Sequence, residues 1–407
     1  MTYEPIRVLR IFSRLNIGGP SIHVVLLTAG LDREHYQTTL VVGREGDREG
    51  SCLDLAECKN VAPIVVPTLG RSIHPIRDLR SFIVLCRLMM RERPHVVHTH
   101  TAKAGALGRV AAFATGVPVV IHTFHGSVFS GYFGTLGSRV YETVERLLAR
   151  ITDAIIGISP VLVGELAAHR LRPRHGIRTI PLGLELNGFV NAPGARPGAL
   201  RQRLGLAKNV KLIGSVGRLA PVKDLQTLFS AVRRAANVKD VLNDDVHVAI
   251  IGDGPERSHL ESLRDELGLA SHVHFTGFLS ELENVYPDLD CVVNSSLNEG
   301  TPVALIEAMA AGVPVVATAV GGTPDLLRGG ALGALVPPGD PNALANALSE
   351  TLEDRDASLA RAGEARIAVL QEYRSERLIQ DMETLYRELL LLKGIAAATP
   401  EFSPSRT

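Results

Sequence analysis

The stretch Asp290-Cys-Val-Val-Asn-Ser-Ser-Leu-Asn-Glu299-Gly-Thr301-Pro302-Val-Ala-Leu-Ile-Glu307-Ala-Met-Ala-Ala-Gly312-Val-Pro314-Val-Val-Ala-Thr318 reads as strand, loop, helix and strand in succession. Residues 290–295 form an apolar run of the length of a buried strand. Thr301 suits an N-cap, and Pro302 suits the first helical position, where a missing N–H costs nothing. The helix runs to about Ala311. Gly312 fits a left-handed C-cap, and Pro314 stops continuation. Glu299 therefore lies in the loop before a helix N-terminus and Glu307 inside the helix. Free N–H groups and the positive end of a helix dipole stand beside them, a combination that binds anions, phosphate above all. Two acids at this spacing also fit a solvated face or a structural salt bridge. Glu307, however, is flanked by Ile306, Ala308, Met309 and Ala310, so its carboxylate is expected to be enclosed and to need a partner.

Working outward, apolar runs alternate with helical segments along the whole chain, the pattern of parallel α/β sheets. Strands are predicted at 6–12, 37–42, 62–66, 95–98, 117–122 and 154–158, and helices near 21–31, 77–92 and 138–152. A Pro-, Gly-, Asn- and Ala-rich linker is expected around 181–210. A second set of strands follows at 211–216, 247–251, 272–275, 291–294, 314–318 and 334–336. A helical pattern occupies 372–392. Two Rossmann-like domains in tandem are the reading, and 407 residues are too many for one ordinary core.

Composition is that of a soluble globular protein, with 45% hydrophobic and 21% charged residues. The formal net charge is zero but unevenly spread: residues 1–185 carry 22 Lys+Arg against 15 Asp+Glu. Ten of the 14 His also lie there. A basic half beside an acidic half points to an anionic partner for the first. No basic-aromatic pattern or helix-turn-helix supports nucleic acid as that partner. No signal peptide or membrane-spanning run is expected. The four Cys show no CxxC pairing and are expected as free thiols in a reducing cytoplasm.

Other motifs follow predicted strands. Gly18-Gly19 opens a helix and permits close approach of a phosphate. Gly217-Arg218-Leu-Ala-Pro-Val-Lys223 places two cations across a turn, where they would neutralise a departing diphosphate without a metal. A solvated loop is the bland alternative. Phe278, after Thr276-Gly277, fits either a base pocket or the core. His98, His100, His122 and His125 sit at strand ends. They raise a zinc hypothesis, set against the tendency of open α/β sheets to bind substrates at that edge. Asp288-Leu-Asp290 superficially matches a metal-binding D-x-D but precedes a buried strand, and is read as structural.

The run Glu299-Gly-Thr-Pro-Val-Ala-Leu-Ile-Glu307-Ala-Met-Ala-Ala-Gly-Val-Pro-Val-Val-Ala-Thr-Ala-Val-Gly321-Gly322 resembles the E-x7-E signature of family-4 retaining glycosyltransferases. Gly217-Arg218 with Lys223, Gly252-Asp-Gly254-Pro255 and Gly321-Gly322-Thr-Pro324 extend the resemblance. In the last, Asp325 replaces the family's Glu and is given no role. His122-Thr-Phe-His125-Gly-Ser-Val-Phe-Ser-Gly-Tyr-Phe133 resembles bacterial cell-surface polysaccharide and lipid-linked oligosaccharide transferases.

The resemblance implies the GT-B fold: two Rossmann-like domains facing across a cleft, 1–185 plus 372–393 and 186–371, with the final helix crossing back to the first domain. Residues 394–407 are expected to be a disordered tail. It implies a metal-independent, cofactor-free transferase that moves a sugar from a nucleotide-sugar donor, a UDP-sugar such as a UDP-N-acetylhexosamine, to a glycan or lipid-linked acceptor. Glu299 and His125 would be catalytic. Gly18, Gly19, Arg218, Lys223, Phe278, Thr301, Pro302 and Glu307 would bind the donor. A nucleotide-sugar epimerase, a phosphorylase or a non-catalytic nucleotide-sugar-binding protein are the alternatives. The Glu pair with Arg218 and Lys223 argues against the first, and the lack of a pyridoxal-phosphate lysine signature against the second.

The segment 71–93 carries six Arg against two acids, with Arg77, Arg80, Arg87 and Arg91 at helical spacings and Phe82, Ile83, Leu85, Leu88 and Met89 as apolar surface. It reads as a basic amphipathic helix for an anionic membrane surface, giving a cytoplasmic protein peripheral to the inner face of the plasma membrane. The alternative is a helix whose apolar residues cover the sheet.

Overall fold

The computed structural model describes residues 4–45, 50–70, 72–126, 135–190, 198–207, 209–237 and 246–395. The chain divides into two compact units, residues 1–184 with 375–407 and residues 185–374.

The first unit alternates strand and helix: β1 (Ile6–Phe12), α1 (Gly19–Gly30), β2 (Tyr36–Gly43), α2 (Leu53–Cys58), β3 (Ile64–Val66), α3 (Pro75–Glu92), β4 (Val96–His100), α4 (Ala102–Ala114), β5 (Val119–Phe124), α5 (Thr135–Arg150), β6 (Ala154–Gly157), α6 (Pro160–Ala168) and β7 (Ile177–Thr179). Its seven strands lie in the order β3-β2-β1-β4-β5-β6-β7, and every pairing is parallel. Both faces of such a sheet are covered, so its strands read as near-continuous apolar runs. Strand order reverses between β1 and β4. In open α/β sheets, ligands bind beyond the carboxyl ends of the strands at such a switch point.

The second unit follows the same logic. Short helices α7 (Asn187–Val190) and α8 (Ala199–Arg203) occupy part of the expected linker. Then come β8 (Lys211–Val216), α9 (Leu225–Asn237), β9 (Val246–Ile251), α10 (Arg257–Glu266), β10 (Val273–Gly277), β11 (Cys291–Asn294), α11 (Val303–Ala310), β12 (Val315–Thr318), α12 (Thr323–Leu326), β13 (Ala334–Val336), α13 (Pro341–Glu353) and α14 (Arg355–Glu372). The six strands run β10-β9-β8-β11-β12-β13, all parallel, with the switch point between β8 and β11.

Of the helical pattern expected over 372–392, Glu372 is the last residue of α14 and residues 375–392 form a single helix. Residues 373 and 374 break it, and α15 (Ser375–Leu392) begins where the Ser375 N–H donates to the Leu184 carbonyl at 3.0 Å. This last helix completes the first unit: Leu378, Met382, Leu385, Tyr386 and Leu389 are buried in one cluster with Ile6, Val8, Leu27 and Ile156. A polar chain ties it to the sheet. Fully buried Arg10 donates to Thr28 Oγ1 at 2.7 Å and to the Tyr386 hydroxyl at 3.1 Å. Tyr386 pairs in turn with His98 Nδ1 at 2.8 Å, and His98 Nε2 with Thr123 Oγ1 at 2.7 Å. Residues 396–407, most of the expected tail, lie outside the described residues.

One reading is corrected by packing and another is upheld. In α3, Leu85, Leu88 and Met89 are core, and Phe82 packs partly buried against them, so they are not an outward apolar surface. Ile83 alone of the predicted five is exposed. The solvent-facing apolar residues are instead Ile76, Leu79, Ile83, Val84 and Met90. Asp288 and Asp290 are structural, as read: Asp288 accepts backbone N–H bonds from Gly198, Leu200 and Arg201, and Asp290 pairs with Arg201 and Arg355, each at 2.7 Å.

Candidate functional site

The switch point of the second unit gathers three of the residues singled out in the sequence, Arg218, Lys223 and Glu299. The β8 carboxyl end leads into Gly217-Arg218, and a single 3-10 turn, Pro221–Lys223, brings Lys223 to the same edge. The β11 carboxyl end leads into Ser295, Ser296 and Glu299. Lys223 Nζ meets Glu299 Oε1 at 2.5 Å, with the two side chains 26% and 13% exposed. Glu299 Oε1 also accepts from Ser296 Oγ at 2.7 Å and Asn294 Nδ2 at 3.1 Å. Burial pushes the Glu299 carboxyl up. The Lys223 ammonium and these hydrogen bonds outweigh it, so the group stays below the ordinary carboxylate range and is ionised.

Two glycines make this packing feasible. Gly321 has φ +52°, and a Cβ there would stand 1.8 Å from the Glu299 carbonyl oxygen; Gly322 N–H donates to the Gly300 carbonyl at 2.8 Å. The Gly321-Gly322 segment thus clasps the Glu299 loop. Gly252 has φ +135°, and a Cβ would stand 2.0 Å from the Gly217 carbonyl oxygen, so the β9 turn supports the Arg218 loop backbone to backbone. Asp224, directly after Lys223, is in the left-handed region at φ 45°. Arg218 itself is exposed and makes no hydrogen bond among the described residues. A small cleft beside it is lined by Ser215, Gly217, Arg218, Lys223, Asn294 and Ser296.

Helix α11 starts later than expected. The first helical hydrogen bonds, from Leu305 and Ile306 N–H, are accepted by the Pro302 carbonyl. Pro302 is therefore the cap, with ψ 106° and no side-chain cap bond, and Thr301 lies before it. Thr301 is buried and its Oγ1 makes no hydrogen bond among the described residues. Glu307 lies in α11, largely enclosed, and accepts the Tyr286 hydroxyl bond at 2.8 Å. Burial pushes its carboxyl up to about 7, against the opposing effect of that hydrogen bond. Phe278 is 56% exposed and not core.

The switch point of the first unit is built of imidazoles instead of charges. Gly18 caps α1, and Gly19 and Pro20 begin it. His100 ends β4, and His125 follows β5. His100 Nδ1 and His125 Nε2 share a hydrogen bond of 3.0 Å with the rings stacked. Burial pulls His125 down to about 4, so it is neutral. Thr101, at φ 63°, is a β-branched residue in a region that costs it strain. His122 is separate: buried, with Nδ1 against Thr99 Oγ1 at 2.8 Å. His23 of α1 joins the cluster, its ring centroid 5.0 Å from that of His125. Sequence reading missed it, and also Asn294, Ser296 and Tyr286. Residues 127–134 of the run 122–133 and beyond lie outside the described residues.

Two parallel α/β units, each with chemistry gathered at its switch point, and a last helix returning to the first define the GT-B class of nucleotide-sugar enzymes. Residues 198–367 match the family described as glycosyl transferases group 1, and residues 18–183 match the glycosyl transferase 4-like domain. A UDP-Gal:alpha-D-GlcNAc-diphosphoundecaprenol alpha-1,3-galactosyltransferase of Escherichia coli is 29% identical over 82% of this chain and 86% of its own. A D-inositol 3-phosphate glycosyltransferase of Corynebacterium jeikeium is 30% identical over 72% of each chain. Among solved structures, Anabaena HepE in complex with UDP and glucose superposes with a TM-score of 0.79 at 23% identity, over 93% of this chain and 99% of that one. The chain belongs to the group 1, GT4-type glycosyltransferases of GT-B fold, and is a glycosyltransferase. No helix among the described residues is long and apolar enough to cross a membrane.

The raised Glu307 carboxyl gives a pH signature. Its folded value, about 7, lies above its unfolded value, so the folded state holds the proton longer and loses stability as pH rises between the two. Glu307→Gln mimics the protonated form throughout. The melting temperature of the variant relative to wild type is expected to climb from about pH 5 to about pH 8. A difference that does not change with pH would show that the carboxyl is not enclosed as described.

Proposed function

We propose that this glycosyltransferase moves a sugar from a UDP-sugar to a glycan or lipid-linked acceptor with retention of anomeric configuration. The observation that carries the reading is the Lys223–Glu299 pair, held beside the exposed Arg218 guanidinium at the second unit's switch point. Two cations at a strand edge are suited to a diphosphate, and a carboxylate anchored between Lys223, Ser296 and Asn294 is suited to sugar hydroxyls or developing positive charge. Glu307, on the neighbouring helix, is assigned to the ribose hydroxyls, Phe278 to the base, and the Thr301-Pro302 turn to the phosphates. His125 and the Gly18-Gly19 turn of the first unit are assigned to the transfer step. The UDP-dependent, lipid-linked acceptor named for the Escherichia coli relative and the UDP and glucose bound to HepE support the donor and acceptor classes.

In the reaction, the bond from the anomeric carbon to the β-phosphate oxygen breaks, and the acceptor oxygen attacks from the same face. The acceptor proton passes to the leaving phosphate oxygen. Arg218 and Lys223 stabilise the charge that develops there without a metal.

Arg218→Ala and Lys223→Ala are each expected to lower kcat by about 10²-fold or more, while wild-type activity persists in EDTA. A panel of UDP-, GDP- and ADP-sugars, read by thermal shift and by NMR of the product anomer, identifies the donor and the stereochemistry. Near wild-type rates in both variants, loss of activity in EDTA with recovery in magnesium or manganese, or an inverted product would contradict the mechanism.

The acceptor class makes membrane docking useful, and α3 offers a surface for it. Ile76, Leu79, Ile83 and Met90 are exposed among Arg77, Arg80, Arg87 and Arg91, and Phe113 of neighbouring α4 is 60% exposed. Such a face lies in the interface of an anionic bilayer, each cation contributing about 1 kcal/mol. The protein is expected to sediment with anionic liposomes and less so with added salt, and Ile76→Glu with Leu79→Glu should weaken binding at every salt concentration. Failure to sediment at low salt would favour a soluble acceptor.

A further inference from the structure

Three imidazoles from three elements converge in the first unit. His23 from α1, His100 from the end of β4 and His125 just past β5 each present a ring nitrogen, and these nitrogens lie within 4.8 Å of one another. The His23 and His100 ring centroids are 6.0 Å apart, edge to face, and His100 and His125 stack at 5.2 Å. Buried polar atoms are nearly always hydrogen-bonded. His23 is 2% exposed, yet among the described residues neither of its ring nitrogens has a partner, and Nε2 of fully buried His100 has none either. Packing alone gives no reason to place bare nitrogens here, since an apolar ring would avoid their desolvation.

We propose that His23, His100 and His125 form a binding site for a borderline divalent transition-metal ion of the zinc class, and that an ion held there competes with the action of His125 in sugar transfer. The second clause rests on the role assigned to His125 above. Three imidazoles with no carboxylate among them suit zinc, cobalt, nickel or copper, whereas magnesium and calcium demand oxygen ligands. Zinc–nitrogen bonds of about 2.1 Å place tetrahedral ligands roughly 3.4 Å apart, so modest ring rotations bring the three nitrogens to one ion. His125 is half-buried, which leaves a route of entry and a fourth position for water. Ligation requires unprotonated rings. Burial first, and then neighbouring positive groups including Arg10, hold His23 and His100 well below the ordinary histidine range, and burial does the same for His125. The same Arg10 charge repels a dication, so binding is weaker than at a structural zinc site.

The test uses the full chain, free of any polyhistidine tag and stripped with a chelator. Cobalt(II) is titrated by calorimetry and by its visible absorption, then displaced with zinc. One equivalent should bind with the intense absorption of a tetrahedral nitrogen-ligated ion. His23→Asn and His100→Gln should each lower affinity by about 10²-fold or more. His272→Ala, which disrupts the separate His247–His272–His274 stack, should leave it unchanged. Zinc should inhibit transfer, and EDTA should reverse the inhibition. No cobalt binding by wild type, undiminished binding in the folded variants, or effective competition by magnesium would overturn the site. Zinc binding that leaves transfer untouched would uphold the site and refute its competition with His125. If one variant fails to fold, the other and the wild-type spectrum decide.

Discussion

The second unit's chemistry depends on one ion pair. Glu299 is an ionised carboxylate, 13% exposed, and Lys223 is its cation. Removing one member of such a pair leaves an uncompensated enclosed charge, which costs more than the intact pair contributes. The surrounding backbone is arranged accordingly. Gly321 approaches the Glu299 carbonyl more closely than any other residue could, Ser295 Oγ donates to the Lys223 carbonyl at 2.9 Å, and the Leu297 N–H donates to the Val222 carbonyl at 2.8 Å. The β8 and β11 loops are thereby locked to each other. In the mechanism proposed above, an anion arriving at Lys223 meets an ammonium already partly desolvated, and Arg218 has no internal partner among the described residues to give up. In that mechanism the arrangement is pre-organised for charge that appears only when a leaving group departs.

The two switch points share a topology and differ in chemistry. In the second unit, Glu299 is held as a carboxylate beside Lys223. In the first, histidines are kept neutral by burial near an enclosed guanidinium, Arg10, which donates to the neutral oxygens of Thr28 and Tyr386. The same parallel-sheet edge therefore carries a carboxylate paired with an ammonium in one unit and a set of imidazole lone pairs in the other.

Much of the fold was legible because parallel strands are buried on both faces and read as unbroken apolar runs. Lys211–Val216, Cys291–Asn294 and Ala334–Val336 lie where the sequence placed them. Helix α4 was not foreseen, since its Ala- and Gly-rich sequence has little amphipathic contrast, and β7 is only three residues long. The Thr301 cap was misplaced by one residue: Pro302, at ψ 106°, is the cap and the helix begins at Val303. In the site, residue types and loop positions could be read, but partnerships could not. Lys223 and Glu299 are 76 residues apart, and Tyr286 and Glu307 belong to different elements. His23 carried no signal beyond its place five residues after the Gly18 cap. In α3, helical spacing marked the apolar residues correctly but assigned the core-facing ones to the surface. Periodicity finds a face without saying what covers it.

A double-mutant cycle on nucleotide binding tests the central claim most directly. Calorimetric Kd values for UDP would be compared among wild type, Lys223→Met, Glu299→Gln and the double variant. If the pair acts as one anchored unit, the two effects are non-additive by about 1 kcal/mol or more. Strictly additive effects would mean that Lys223 and Glu299 meet the nucleotide independently, and would contradict the account.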